Sequence, residues 1–267
     1  PALHPSGGAL TLTALLEQQV RLRPGATALH YRGRTVTYAA LAAESARVAR
    51  GLADLGVGRG DVVALWMPNT PAWIASFFAC ARIGAIALAT NTRFRSSEMN
   101  DILSRSGAKV LMLWPSFRHI DFTGILRETK AESFARLKAI VAYEEEEAGA
   151  ALPDVHGIAA YRYADLASRP AMEEDRAAPD IGCLMFTTSG TTKAPKFVLH
   201  HQRSIAWHAI DDGQSFEFAA PGAVTLGVVP LCGTYGFSTT MSPLLCGNPV
   251  VLQSSYQVDR SEEHTSE

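Results

Sequence analysis

Residues 62–88 read VVALWM-PNT-PAWIASFFACARI-GA-IAL, with a short apolar run on each side of a longer apolar segment. The first run, residues 62–67, is continuous, which is typical of a strand buried on both faces. The Asn-Thr pair before Pro71 predicts the start of a helix, because such side chains cap free N–H groups and proline fits the first helical turn. Gly84 predicts the end of this helix, and residues 86–88 predict a second strand. The stretch is therefore predicted to form one βαβ unit.

The same alternation of helices and strands continues on both sides of this unit. The predicted elements are a helix at 12–22, a hairpin at 28–38, a helix that is capped by Thr37 and ends near Leu55, a helix at 98–105 capped by Ser96 or Ser97, strands at 110–113, 139–143, 183–186 and 197–199, a helix that begins at His200 and His201, a buried strand at 224–229, a helix at 242–245 and a strand at 250–252. This order predicts an α/β fold with repeated βαβ units around largely parallel sheets.

Composition narrows the class of protein. The chain has 267 residues, of which 47% are hydrophobic and 19% are charged, as in an ordinary globular protein. Its 24 Lys and Arg residues against 26 Asp and Glu residues argue against a nucleic-acid partner. The longest apolar tract, residues 73–89, is interrupted by Arg82 and Gly84 and falls short of a membrane span. The cysteines form no Cys-x-x-Cys pair, which predicts free thiols in a reducing cytoplasm.

The segment between residues 115 and 180 is predicted in less detail. Glu144 to Glu147 form a run of carboxylates that a metal site and a solvated acidic loop would both explain. The loop is favoured, because adjacent carboxylates point in different directions and repel one another. Residues 167–179 contain two prolines and several charges, which is typical of a linker.

The residues from Thr187 to Leu199, TTSGTTKAPKFVL, place a segment rich in hydroxyl groups and glycine between two apolar runs. Backbone N–H groups, hydroxyls and a lysine in one loop suit a polyphosphate, although many polar surface loops have the same composition. The segment is not a Walker A loop. Counted from Gly190, that pattern needs Gly at 195 and Ser or Thr at 197, where this chain has Pro195 and Phe197.

The pattern T-S-G-T-T-x-x-P-K at residues 188–196 resembles the phosphate-binding signature of the adenylate-forming superfamily, which includes acyl-CoA synthetases, luciferases and the adenylation domains of peptide synthetases. The chain departs from it at Lys193, where the family usually has Gly. Further segments that resemble the family are TYAAL, GVGRGDVVAL, PNTP and NTRF, at residues 37–41, 56–65, 68–71 and 91–94. The resemblance implies that residues 1–259 are an incomplete large N-terminal AMP-binding domain.

The resemblance also implies an activity, that of a carboxylate–CoA ligase. Such an enzyme activates a small carboxylic acid with ATP as an acyl-adenylate and then forms a thioester with coenzyme A. The residues that the resemblance assigns to the ATP phosphates are Thr188, Ser189, Gly190, Thr191, Thr192 and Lys196. Mg²⁺ accompanies ATP, but its protein ligand, the ribose-binding aspartate and the adenylation lysine are implied to lie downstream. No catalytic residue and no metal ligand are therefore assigned in this chain, which is expected to be inactive alone.

Residues 230–237, PLCGTYGF, resemble the P-L-F-H-x-x-G segment that lies against the acyl group in acyl-CoA synthetases. Cys232 and Gly233 stand where Phe and His are common, so the resemblance does not extend to the identity of the acid. Tyr235 is a candidate wall of the substrate pocket, and an ordinary buried aromatic is the alternative. Two other functions stay open: a non-catalytic nucleotide-binding pseudoenzyme, and an adenylation domain that loads a carrier protein.

The last residues, 260–267, read RSEEHTSE and show no apolar period. They resemble the translation of a sequencing-adapter read and are predicted to be a non-native tail that takes no part in the fold or the function.

Overall fold

The computed structural model describes residues 10–145, 151–188 and 195–255 of the chain. Within those ranges the elements are α1 (Leu12–Leu22), β1 (Thr27–Tyr31), β2 (Arg34–Thr37), α2 (Tyr38–Asp54), β3 (Val62–Trp66), α3 (Pro71–Ile83), β4 (Ile86–Ala89), α4 (Ser96–Ser106), β5 (Val110–Leu113), α5 (Phe122–Arg127), β6 (Ala139–Ala142), β7 (Ala159–Arg162), α6 (Tyr163–Ala167), β8 (Gly182–Thr188), β9 (Lys196–His201), α7 (Gln202–Ser215), β10 (Thr225–Gly227), α8 (Thr234–Cys246) and β11 (Val250–Leu252). In this part of the chain, no helix has the length and apolar character needed to cross a membrane.

The strands form two sheets. The larger sheet has the order β7-β6-β5-β3-β4-β8-β9, and all its neighbouring strands are parallel except β8 and β9 at one edge. The smaller sheet has the order β10-β11-β1-β2, in which only the β1–β2 hairpin is antiparallel. The predicted α/β fold with repeated βαβ units around largely parallel sheets is confirmed.

The βαβ unit at the centre of the sequence forms as predicted. All residues of β3 are buried. Thr70 caps α3, since its hydroxyl accepts a hydrogen bond from the Trp73 N–H at 3.1 Å, and Pro71 is the first residue of the helix. Gly84 ends α3 with a φ of 74°, a left-handed conformation that glycine adopts without strain. Nearly every residue of α3 is buried, so this helix lies inside the core.

Two hydrophobic cores lie on opposite faces of the larger sheet. One face packs towards α1, α2 and α3 through alternate residues of β3, β4 and β5, namely Val63, Leu65, Ala87, Val110 and Met112. The other face packs towards α4 and α5 through the intervening residues of β3 and β5, namely Val62, Ala64, Trp66, Leu111 and Leu113. Because both faces of these strands are buried, their sequences are continuous apolar runs rather than alternating patterns.

The structure corrects the predicted start of a helix at His200 and His201. These residues are the last two of β9, and α7 begins at Gln202. His200 lies opposite Leu184 in the antiparallel pair with β8, so the strand continues through the two polar histidines. Tertiary pairing, rather than local propensity, decides the conformation here.

Three further boundaries differ from the prediction. The buried strand expected at 224–229 is limited to Thr225–Gly227, and Leu226 is 45% exposed because β10 is an edge strand. Helix α8 begins at Thr234, well before residue 242. Helix α4 begins at Ser96, with Arg95 rather than a serine in the capping position.

The segment predicted as a linker packs against the helices. Residues 168–179 form no helix or strand. Met172 is buried and its N–H donates to the Ala46 carbonyl at 2.9 Å, and the Arg176 N–H donates to the Arg82 carbonyl at 2.7 Å. The segment is therefore held along α2 and α3.

Candidate functional site

Strand β8 ends at the carboxyl edge of the larger sheet, and the signature residue Lys196 pairs back onto it in β9. Because β8 is parallel to β4 and β4 is parallel to β3, the end of β8 at Thr188 lies at the same edge as Thr90 and Asn69, which follow β4 and β3. In open α/β sheets, ligands bind at the carboxyl ends of the strands. The chain direction thus places Thr188, the first residue of the predicted signature, at the edge where such folds bind their ligands.

Thr188 and Lys196 are the predicted phosphate-binding residues that the structure describes. They lie opposite each other in the β8–β9 pair, so their Cα atoms are about 5 Å apart. Both are exposed. The other predicted members of the site lie outside the described residues: Ser189, Gly190, Thr191 and Thr192. The structure therefore brings together the two ends of the predicted loop.

A row of aromatic rings supports β8 and β9 from one face. Phe186 of β8 contacts His200 of β9, with ring centroids 5.7 Å apart, and Phe237 of α8, with centroids 5.6 Å apart. Phe237 in turn contacts Phe77 of α3 at 5.2 Å. All three contacts are edge-to-face, the favoured geometry for aromatic pairs. The strand pair that carries the loop is therefore fixed to the buried helix α3.

Asn69 connects the βαβ unit to the segment that precedes α8. Its amide nitrogen donates to the carbonyls of Gly227 and Val229, at 3.2 and 2.9 Å, and its amide oxygen accepts from the Leu231 N–H at 2.9 Å. Sequence reasoning missed this role and considered Asn69 only as a helix start. No local pattern marks the role, because the partners are 158 to 162 residues away.

Tyr235, the predicted pocket residue, is the second residue of α8 and is 70% exposed. It is therefore not an ordinary buried aromatic, and its place in a substrate pocket stays a prediction. The neighbouring Gly236 lies so close to the carbonyl oxygens of Val229 and Pro230 that a Cβ would overlap them. This glycine lets the helix start approach the preceding turn.

Cys232 lies half-buried in the turn before α8. Burial raises the pKa of the Cys232 thiol to about 11, and the positive charge of Arg93 partly opposes this shift. The thiol is neutral at pH 7, so it is not a nucleophile.

The acidic run departs from the predicted solvated loop at Glu145, and Glu146 and Glu147 lie outside the described residues. Glu145 forms an ion pair with Arg32 at 2.7 Å and accepts a hydrogen bond from the Tyr143 hydroxyl, and its side chain is only 7% exposed. Glu144 accepts a hydrogen bond from the Ser116 hydroxyl at 2.8 Å. In the described part of the chain, no group of three or more His, Cys, Asp or Glu side chains is placed to hold a metal ion.

Comparisons with known proteins agree with the resemblance. The family model for the AMP-binding enzyme matches residues 16–265. The indoleacetate–CoA ligase of Aromatoleum aromaticum is 29% identical over 256 residues, which cover 94% of this chain and 46% of that protein. A feruloyl-CoA synthase of an Amycolatopsis species is 30% identical over 240 residues, which cover 90% of this chain and 43% of that protein. The chain thus spans less than half the length of these relatives.

Solved structures share the fold. An anthranilate CoA ligase in complex with anthranoyl-AMP matches with a TM-score of 0.77 and 23% identity, over 97% of this chain and 48% of that chain. The o-succinylbenzoate CoA synthetase of Bacillus subtilis in complex with an acyl-adenylate matches with a TM-score of 0.72 and 24% identity, over 94% of this chain and 46% of that chain. Together with the match of the family model to nearly the whole chain, these findings show that the chain belongs to the AMP-binding enzyme family of the adenylate-forming superfamily.

Proposed function

We propose that the protein to which this sequence belongs is an ATP-dependent carboxylate–CoA ligase. The observation that carries the proposal is the Thr188–Lys196 strand pair at the carboxyl edge of the larger sheet, since it closes the segment with the phosphate-binding signature. The names of the relatives, an indoleacetate–CoA ligase and a feruloyl-CoA synthase, support this class of reaction. The substrates are a small carboxylic acid, ATP with Mg²⁺, and coenzyme A.

The first half-reaction is mainly a problem of charge. An ionised carboxylate attacks the α-phosphate of ATP and displaces pyrophosphate, and no general base is needed because the acid is already deprotonated at pH 7. Negative charge grows on the departing pyrophosphate. The ammonium of Lys196, together with the hydroxyl and N–H groups of the loop that begins at Thr188, stabilises this charge. In the second half-reaction, the thiol of coenzyme A attacks the acyl carbonyl and AMP leaves.

The cysteines support a cytoplasmic location for the enzyme. All of them are free thiols, and Cys80, Cys183 and Cys246 are buried. Buried free thiols are usual in proteins of reducing compartments, where disulfides are rare.

Within this proposal, the 267-residue chain alone does not catalyse the reaction. It spans 46% and 43% of the two relatives described above. The resemblance assigns the ribose-binding aspartate and the adenylation lysine to segments that have no counterpart in this chain. The chain supplies the phosphate-binding part of the site, and the remainder of a longer protein completes it.

Carboxylate-dependent exchange of labelled pyrophosphate into ATP tests the proposal in the full-length product of the gene. Lys196→Ala is expected to lower kcat/KM for exchange by about 10²–10³-fold, the usual effect of removing one group that stabilises transition-state charge. The matched control is Lys138→Ala. Lys138 is also exposed but precedes β6, so it lies at the amino edge of the same sheet, and its loss should leave exchange unchanged.

The outcomes separate the alternatives. Exchange that survives Lys196→Ala contradicts the assignment of this lysine to the phosphates. Binding of ATP without exchange by the wild-type protein identifies a nucleotide-binding pseudoenzyme instead. Transfer of the acyl group to a carrier protein, but not to coenzyme A, identifies a carrier-loading adenylation domain.

A further inference from the structure

Arg105, in the last turn of α4, contacts both residues that flank Lys196. Its Nη2 donates to the Pro195 carbonyl oxygen at 2.6 Å. Its guanidinium carbon lies 4.6 Å from the centroid of the Phe197 ring, which is a cation–π distance. These contacts join a helix on one face of the larger sheet to the chain that enters β9. Neither the phosphate-binding signature nor the other matching segments include Arg105.

The guanidinium of Arg105 is held in place by Asp101, one turn earlier on α4. The Arg105 Nε donates to Asp101 Oδ1 at 2.7 Å, and Nη2 donates to Asp101 Oδ2 at 2.5 Å. Such a two-pronged ion pair fixes the plane of the guanidinium as well as its position. The Asp101 and Pro195 contacts together occupy three of the five N–H groups of Arg105. The arginine therefore links helix α4 to the chain at Pro195.

The position of Phe197 shows the face of the sheet from which Lys196 projects. Phe197 packs against the core on the α4 face of the sheet, beneath the Arg105 guanidinium. Successive side chains of a strand point to opposite faces. Lys196 therefore projects from the other face, the one on which His200 contacts Phe186. A shift of the entering chain by one residue would exchange the two faces and turn the lysine away.

We propose that Arg105 is a positioning residue for the phosphate-binding site: by holding Pro195 and Phe197 it fixes Lys196 in the orientation that meets the phosphates of ATP. The assignment to ATP rests on the proposed function, whereas the hold on β9 does not. Arg105 acts through Lys196 and does not itself touch the nucleotide.

The first experiment measures the hold in the 267-residue chain without any ligand. Trypsin is added under native conditions, and mass spectrometry follows the initial rate of cleavage between Lys196 and Phe197. Such cleavage requires local opening of the chain and follows the population of the open form. Arg105→Met keeps the aliphatic stem but removes the charge and the donors, and it is expected to raise the rate by about tenfold.

Three other variants serve as comparisons. Arg105→Lys retains a cation and a donor but not the fork, and should give an intermediate rate. Asp101→Asn, which weakens the orientation of Arg105, should raise the rate by about threefold. Arg127→Met is the matched control. It also removes a bond from an exposed arginine to a carbonyl, that of Asp154 at 2.9 Å, but far from β9, and it should leave the rate unchanged.

The second experiment measures pyrophosphate exchange by the full-length gene product with the same variants. Arg105→Met is expected to raise KM for MgATP by about tenfold, while KM for the carboxylic acid stays unchanged and Arg105→Lys recovers part of the loss. A merely structural role would change both KM values or neither.

The two experiments separate the positioning role from the proposed function. If Arg105→Met leaves the cleavage rate unchanged, Arg105 does not stabilise the start of β9. Faster cleavage with an unaltered KM for MgATP overturns the positioning role. Faster cleavage of the Arg105→Met chain, together with no exchange by the wild-type full-length protein, confirms that Arg105 stabilises the start of β9 and overturns the proposed function.

Discussion

Large apolar side chains are more often exposed in residues 196–235 than in residues 10–145. Of the exposed large hydrophobic side chains in the described parts of the chain, only Leu22 lies in the first region. The second region contains most of them: Val198, Leu199, Trp207, Phe216, Val224, Leu226, Val229 and Tyr235. The first region packs helices against both faces of β3, β4 and β5, whereas β9 and β10 of the second region are edge strands.

This difference in exposure indicates that the two regions contribute unequally to the stability of the chain. Strands buried on both faces remove apolar surface from water, at about 25 cal/mol for each Å². Exposed apolar side chains on edge strands contribute little to the stability of their own chain and favour association with other surfaces. The chain spans less than half the length of its relatives, and we expect a longer protein to cover the second region.

The largest expected effect is the difference in the free energy of unfolding between two variants, one from each region. Leu65→Ala removes a fully buried side chain from β3 and should lower the free energy of unfolding by about 3 kcal/mol or more. Phe216→Ala removes a side chain that is 67% exposed and should lower it by less than about 0.5 kcal/mol. Urea unfolding followed by tryptophan fluorescence measures both values. Similar losses in the two variants would contradict the comparison.

A second effect concerns the contact between the regions. Asn69→Ala removes three hydrogen bonds, to the carbonyls of Gly227 and Val229 and from the Leu231 N–H. The Gly227 carbonyl keeps a hydrogen bond from the Gln253 N–H at 3.1 Å, whereas the buried Leu231 N–H loses Asn69 as its acceptor. The free energy of unfolding should fall by about 2 kcal/mol. Asn100→Ala is the control: Asn100 accepts hydrogen bonds from Lys130 and Ser133 in a less buried place, and its loss should cost less than about 1 kcal/mol. If Asn100→Ala lowers the free energy of unfolding more than Asn69→Ala does, Asn69 does not link the two regions.

A third effect concerns association. Val224 and Leu226 are exposed on and beside the edge strand β10, and replacing both by Thr keeps the β-propensity but reduces the apolar surface. We expect the 267-residue chain to self-associate weakly through this surface, and sedimentation equilibrium should show a self-association constant about tenfold lower in the double variant. Leu22→Gln, at the exposed apolar residue of the first region, should leave the constant unchanged. A greater effect of Leu22→Gln would show that association uses the first region instead.

The smallest effect is a dependence of stability on pH. Burial, and then the charges of His208 and His201, lower the pKa of His200 from 6.5. The folded state therefore binds fewer protons than the unfolded state as the pH falls below 6.5, so this contribution to stability is complete above 6.5 and is lost as the pH falls through the folded pKa. His200→Phe keeps a ring against Phe186. Between pH 7.5 and 5.5, the thermal midpoint should fall slightly more in the wild type than in this variant, and equal falls would exclude His200 as the cause.

The fold could be predicted wherever its signals were local. Helix α1 has its predicted bounds, and α3 begins at Pro71 and ends before Gly84 because the cap, the proline and the glycine act within a few residues of the chain. The conformation of His200 could not be predicted in this way. It depends on pairing with a strand that local propensity does not contain.

The candidate site shows the same division. The phosphate-binding signature identified Thr188 and Lys196 as members of one loop, and the structure pairs them across β8 and β9. The long-range roles of Asn69 and Arg105 were not predicted. The hydrogen-bond partners of Asn69 lie 158 to 162 residues away, and the Pro195 carbonyl lies 90 residues from Arg105. Long-range hydrogen bonds leave no periodic pattern in a sequence, so residues that position a loop are found only from the folded chain.

The most direct test of the central claim is carboxylate-dependent pyrophosphate exchange, measured side by side for the full-length gene product and for the 267-residue chain. We expect exchange by the full-length protein and none by the shorter chain, because the shorter chain supplies the proposed phosphate-binding strand pair but not the remainder of the proposed site. Exchange by the 267-residue chain alone would show that this chain contains a complete catalytic site and would overturn the proposed division of the site.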